Sequence, residues 1–424
     1  MWQRYSALPP VLKRFRIGCL MATTLGSAPL ADVNMPPSSN SSRSVLVALI
    51  ACQIGLHACV QGVRLAAPLS ALRQGYSEWS VGLVLTMFAL FPALLAIPAG
   101  RFADRNGYHL PVRLAAILSV VGAFLAVFSE QLVFLCASAA LCGAGSGLGM
   151  ITIQRSASRL SHGDADSLRV FSWIALAPAI AGLFGPMLAG ALIDYAGFTA
   201  AFVALALLPA CTLLISKAVP VERLPTTVRG LQNQPSSSGL LRLPAFRRLL
   251  LINWLVSASW DVHCFALPIL GVQRGLSASA LGGVLAAYAV SSMAVRLIIP
   301  VVAELLPRRH ILVGALMLTF SVFLVYPLLY EAWAMALCAA ALGIALGAIQ
   351  PSILATLLDV VPKERHGEAL AFRSMTVHAS MTVMPLFFGL IGAGIGAASL
   401  FWLMATALGL GCLEARQLRS VGRC

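Results

Sequence analysis

The feature that most constrains this chain is its repeated apolar runs. Stretches of about 18–25 predominantly apolar residues recur along it, each long enough to cross a bilayer core of about 30 Å as a helix. Twelve are counted, starting near residues 44, 80, 112, 132, 169, 198, 248, 278, 310, 332, 372 and 396. Hydrophobic residues make up 59% of the 424 and charged residues 10%. A soluble domain carries about 25% charged residues, so this chain cannot cover a water-facing surface. The fold expected is an all-α membrane protein of twelve transmembrane helices in two pseudo-symmetric six-helix bundles.

The formal charge of +14 raises nucleic acid as a partner, but nucleic-acid binders gather basic residues on one polar face. Here they fall in the short gaps between apolar runs. All 29 Lys and Arg residues except Arg64, Arg73, Arg274 and Arg296 lie in the two tails or in gaps on the tails' side of the membrane. The positive-inside rule therefore puts both termini in the cytoplasm. A multi-pass protein of the cell (inner or plasma) membrane follows, with the lipid bilayer as its surroundings and no nucleic acid. The ten Cys are scattered without CxxC or zinc spacing, so no metal and no cofactor are expected.

Residues 1–42 contain KRFRIGCLMATTLGSAPLA, whose short apolar part is interrupted by Thr, Gly, Ser and Pro. That interruption argues against a signal peptide and for a disordered cytoplasmic tail or a start codon placed too early. Residues 217–247, with QNQPSSSG, read as a cytoplasmic linker. The domains expected are thus a six-helix bundle over 43–216 and a second over 248–424, ending in a short cytoplasmic tail.

The two bundles repeat one another. Shifted by 200 residues, Pro68 meets Pro268, Gly75 meets Gly275, Gly82 meets Gly282, Asp104 meets Glu304, Gly143 meets Gly343 and Gly147 meets Gly347. A shift of 204 aligns Arg169 with Arg373, Gly185 with Gly389 and Gly190 with Gly394. Parallel six-helix repeats with a site between them form a transporter architecture.

One polar stripe marks the expected site. Gln53, His57, Gln61 and Arg64 in span 1 fall within an arc of about 80° on a helix. Adding 200 gives Asn253, Ser257, Asp261 and Cys264 in span 7, within SASWDVHCFALPILG. An aspartate at the centre of a membrane helix costs about 2.5–3.5 kcal/mol on insertion scales, so Asp261 is expected to face protein or water. It is read as binding a proton or a cationic group, with Arg64 as counter-charge. A single cavity carboxylate leans toward cationic or neutral cargo, while Arg64 and Arg296 allow an anion. His57 is a candidate ligand or proton site. Arg296 is read as binding an anion, pairing with Glu304 or snorkelling. Gln350, beside Pro351, reads as a substrate contact or a local backbone bond. His263 lies about 200° around the helix from Asp261 and reads as a packing or helix–helix hydrogen-bonding residue. Pro68 and Pro268 interrupt both helices just beyond the stripe, and paired breaks in two halves point to a site or its gate.

AGRFADRNGYHLPVR, between spans 2 and 3, carries Gly100, Asp104, Arg105 and Gly107. It resembles the cytoplasmic loop motif of the major facilitator superfamily. Tyr108 and His109 stand where that motif has a basic pair, and Arg113 is the candidate to replace its function. GLFGPMLAG in span 5, through Gly182, Gly185, Pro186 and Gly190, resembles the Gly-Pro motif of the family's twelve-span drug–proton antiporters, with Ala189 in place of one glycine. The arginine that such members carry in span 4 is absent; its position is Ala139. The resemblance implies the fold, alternating access and gating roles for these residues. It also implies a monomer taking a small-molecule substrate and protons, most simply in export of an amphipathic compound. An importer or exchanger of one metabolite is the alternative, and a non-transporting sensor a distant one. No nucleophile–base arrangement or P-loop points to an enzyme or an ATP-driven pump.

Overall fold

The computed structural model describes residues 39–129, 131–160, 164–221, 237–305, 308–362 and 366–416. The tail over 1–38, most of the expected linker and the end of the chain lie outside the described residues, as do the side chains of Arg169 and Glu304.

Every regular element among the described residues is helical. In chain order these are α1 (Ser39–Arg73), α2 (Glu78–Asn106), α3 (His109–Phe128) and α4 (Leu132–Leu160). The helical stretch Asp164–Ile215 follows, and then α7 (Pro244–Gln273), α8 (Ala278–Leu305), α9 (Arg308–Val325), α10 (Ala332–Val360), α11 (His366–Ile395) and α12 (Ala397–Arg416). Among the described residues, eleven stretches are long and apolar enough to cross a membrane.

Asp164–Ile215 holds two spans. Gly197, with φ 85° and ψ 175°, breaks the helix, at a backbone conformation that favours glycine. Twenty helical residues would separate Gly185 from Leu205 by about 30 Å. Yet both lie against Gly62 of α1, so the chain turns back at Gly197. Residues 164–196 are α5 and 198–215 are α6, which gives the twelve spans expected.

Proline lies inside α1, α2, α5, α6, α7, α10 and α11 without ending any of them. Each removes one backbone hydrogen bond, a loss that neighbouring helices and side chains tolerate in a membrane bundle. Several helices begin before their apolar runs, because their first turns are polar. The largest difference is at α11, which starts at His366 rather than near 372.

The repeat is visible in the packing. Gly143 lies on the carbonyl of Phe88, and Gly343 on that of Tyr288. Gly147 meets Pro92, and Gly347 meets Ser292. Gly75 and Gly275 both take positive φ, 81° and 68°. In the α5/α11 region the packing corrects the offset of 204. Gly82 sits on Pro385 and Gly282 on Pro186, while Gly389 meets Glu78 and Trp79 and Gly190 meets Ala278 and Ser279. Pro186 therefore corresponds to Pro385 and Gly190 to Gly389, an offset of 199. The breaks at Gly197 and Gly396 obey the same offset, and a Cβ at Gly394 would stand in open space. A glycine-rich chain offers several accidental registers; contact chooses one.

These glycines form two seams where α2 packs on α11 and α5 on α8. Small residues let backbones approach closely where lipid supplies no hydrophobic drive. Both seams lie toward the end of the bundle carrying the Gly75 and Gly275 turns, here called the sealed end. The end carrying Asp104 and the arginine-rich turns is the basic end. α7 is the most enclosed span, with 89% of its apolar window buried, and this places Asp261 deep inside.

Candidate functional site

A cavity of about 450 Å³ lies between the two halves. α1 contributes Gln61 and Arg64, α5 contributes Gly182 and Pro186, and α7 contributes Ser257, Trp260, Asp261 and Pro268. α8 adds Tyr288 and Arg296, α10 adds Gln350, and α11 adds Arg373. Most residues expected at the site from the sequence are thus brought together.

At its centre, Arg64 Nη2 lies 3.9 Å from Asp261 Oδ1. Ser380 Oγ on α11 donates to Asp261 Oδ2 at 2.7 Å. The carboxylate is fully enclosed and Arg64 is 10% exposed. Neither Asp261 Oδ1 nor Arg64 Nε has a hydrogen-bond partner. The pair joins the two halves at long range and keeps unused donor and acceptor capacity.

The polar stripe divides. Gln61 and Arg64 face the cavity, whereas Gln53 and His57 do not line it. His57 Nδ1 lies 3.0 Å from Ser146 Oγ on α4 and 3.2 Å from Gln53 Nε2. The arc is wide enough for its two ends to meet different neighbours, and α4 covers the end nearer the basic side. Asn253 is also off the cavity; it is fully buried, and neither amide atom has a partner. Pro268 lines the cavity and Pro68 does not.

In the loop motif, Asp104 Oδ1 accepts from Arg155 Nε of α4 at 2.7 Å, while the nearby Arg105 and Arg113 are exposed. Both partners belong to the first half, so the pair fastens α2 to α4 and does not bridge the halves. Gly107 ends α2 with φ 71°, and Gly100 has open space where a Cβ would stand. In the span 5 motif, Gly185 packs on Ala58 of α1, and Gly182 lies near Gln61 and Ala289.

The structure adds residues the sequence reading missed. Arg373 sits about two turns into α11, donates to Gln350 Oε1 and leaves a buried Nε without a partner. An apolar run read as starting near 372 made it a loop residue. The Trp260 and Tyr288 rings lie 4.2 Å apart between centroids. Behind them His263 hydrogen-bonds Tyr326 at 3.0 Å and stacks on Trp260, the helix–helix role expected of it. Ser380 has no sequence signal among many hydroxyls.

A duplicated six-helix bundle around a central cavity with a buried ion pair defines a membrane transporter. The Major Facilitator Superfamily sequence profile matches residues 49–248 and again residues 249–418. The chain belongs to the major facilitator superfamily. No curated protein matches it in sequence. Among solved structures, a bacterial homologue of the human lysosomal transporter Spinster, inward-facing and occupied, superposes with TM-score 0.72 at 15% identity, covering 89% of this chain and 97% of that one. A POT family transporter in complex with a thioalcohol-conjugated peptide gives TM-score 0.73 at 13% identity, covering 88% and 98%. These likenesses concern the fold.

Proposed function

We propose that the chain is a proton-coupled secondary transporter that moves a small amphipathic molecule by alternating access. Asp261 is the proton-binding group and Arg64 its counter-charge. The observation that carries this reading is the Arg64–Asp261 pair, held across the halves inside the cavity. A buried carboxylate is tolerable while its counter-charge is near, and costly once that charge withdraws. Rocking of one half against the other changes this distance, so conformation and proton occupancy are linked. The glycine seams supply surfaces that can close and part. By the positive-inside rule the basic end faces the cytoplasm. The sealed end is then outward, and the cavity serves the cytoplasmic side.

Export is the direction assigned here, on the Gly182–Gly190 stretch of α5. The test is dye and drug accumulation in an efflux-deficient bacterium carrying empty vector, wild type or Asp261→Asn. Lower accumulation in the wild type alone is the expected result. Equal accumulation in all three, with the protein present in the membrane, would refute broad export. A second reading, uptake or exchange of one metabolite, is favoured by a specific observation: arginines outnumber carboxylates around the cavity.

A further inference from the structure

Among the described residues, three arginines line the cavity, Arg64, Arg296 and Arg373, against one carboxylate, Asp261. Arg64 is matched by that carboxylate. Arg373 is held by the neutral side chain of Gln350, which orients the guanidinium without neutralising it, and its buried Nε has no partner. No acidic residue described in the structure pairs with Arg296 or Arg373. Among the described residues these two positive charges have no acidic partner; they stand at the basic ends of the α8 and α11 spans and line the cavity, where ionisable side chains mark a pathway for a charged species.

The apolar part of the cavity is also built. Trp260 and Tyr288 lie with ring planes tilted by 30° at the cavity wall, and Trp260 is backed by His263. The two rings, packed on each other, make an aromatic wall against which an apolar ring system can lie. Tyr288 and Arg296 are eight residues apart on α8, two turns along one face, or about 12 Å.

We infer that the cargo is a soluble organic anion with a flat apolar body, its anionic group seated between Arg296 and Arg373 and its body against Trp260 and Tyr288. This rests on the reading of the chain as a transporter that uses this cavity, and it reverses the lean toward cations drawn from Asp261 alone. Guanidinium groups suit a carboxylate because their donors match its two oxygens in a plane.

The test uses two probes of the same shape and opposite charge, naphthalene-2-carboxylate and naphthalen-2-ylmethylamine. Each is added to the full chain in nanodiscs of phosphatidylcholine alone, so that no anionic lipid headgroup competes. Thermal unfolding and quenching of tryptophan emission are followed. The carboxylate is expected to raise the Tm and quench the wild type, and the amine to do neither. Apparent affinity is expected to fall about tenfold in Arg373→Gln, the loss of one charge-assisted interaction, and to recover partly in Arg373→Lys. Failure of the carboxylate to stabilise the wild type would overturn the inference, as would an equal or larger effect of the amine. The wild-type comparison needs no variant to fold. Refutation here leaves the transporter reading in place, because the accumulation assay tests that reading with compounds of either charge.

Discussion

Gly282 of α8 lies against the backbone carbonyl of Pro186 in α5, so close that a Cβ there would stand 2.5 Å from the oxygen. Its repeat partner Gly82 stands in the same relation to Pro385. The seam therefore closes only around a hydrogen atom. Gly283, one residue on, has open space and serves as control. Gly282→Val is expected to disfavour the sealed state by about 1–3 kcal/mol, the usual cost of overpacking, and so to shift the balance against it by about 5- to 150-fold. Spin labels at Tyr195 and Ser277 should show a longer distance distribution in Gly282→Val and an unchanged one in Gly283→Val. Identical distributions in all three proteins would remove the seam from the gating account.

The Arg64–Asp261 pair makes a prediction about coupling between two substitutions. Removing one member of a buried pair strands the other and costs about 3–5 kcal/mol. Arg64→Leu alone should therefore unfold at a distinctly lower temperature than wild type, and Arg64→Leu with Asp261→Asn should recover most of that loss. Asp261→Asn alone should fold and reach the membrane but no longer drive export from a pH gradient, leaving at most downhill exchange that ignores the gradient. Strictly additive losses in the double variant would mean that the 3.9 Å approach carries no energetic coupling.

Asp194, near the end of α5, accepts from the backbone N–H groups of Ala278 at 3.0 Å and Ser279 at 2.6 Å. Those are the first residues of α8, so a carboxylate from one half caps a helix of the other. Free N–H groups and the positive end of the helix dipole favour an anion there. Asp194 is exposed, which limits the contribution to about 1 kcal/mol. Asp194→Ala should shift the balance away from the sealed state by about fivefold, read from labels on the other seam at Gln74 and Ile395. High salt should produce part of the same shift in the wild type, and a salt-independent distribution would argue against the cap as a latch.

Much of this arrangement was legible in the sequence, and the rest was hidden for physical reasons. Charges inside apolar runs are few, so Asp261 and Arg64 stood out, and a shift of 200 placed them on facing helices. The same shift matched Gly143 with Gly343 because both serve one packing role, on Phe88 and Tyr288. It failed in α11, where glycines are dense enough to fit an offset of 204 as well as 199. Arg373 was hidden by the polar first turns of α11, since an arginine at the edge of an apolar run looks like a loop until the helix start is known. Asp104 had several arginines nearby in sequence, and only the crossing of α2 with α4 selects Arg155. Trp260 and Tyr288 carried no signal beyond that of any apolar residue.

His57 tests the division of the polar stripe. In sequence it shares a face with Gln61 and Arg64, yet its ring turns to Ser146 and Gln53 and does not line the cavity. Its hydrogen bond to Ser146 ties α1 to α4 within one half. Replacing a buried hydrogen-bonding group by an apolar one leaves its partners unsatisfied, at about 1–3 kcal/mol. His57→Leu should therefore lower thermal stability, while the pH dependence of transport and the concentration for half-maximal flux stay as in the wild type. Ser146→Ala should give a smaller loss of stability, and the double variant should fall short of the sum, because each substitution removes the same bond. A changed pH profile in His57→Leu at normal protein levels would return His57 to the proton pathway and break the assignment of that role to Asp261 alone.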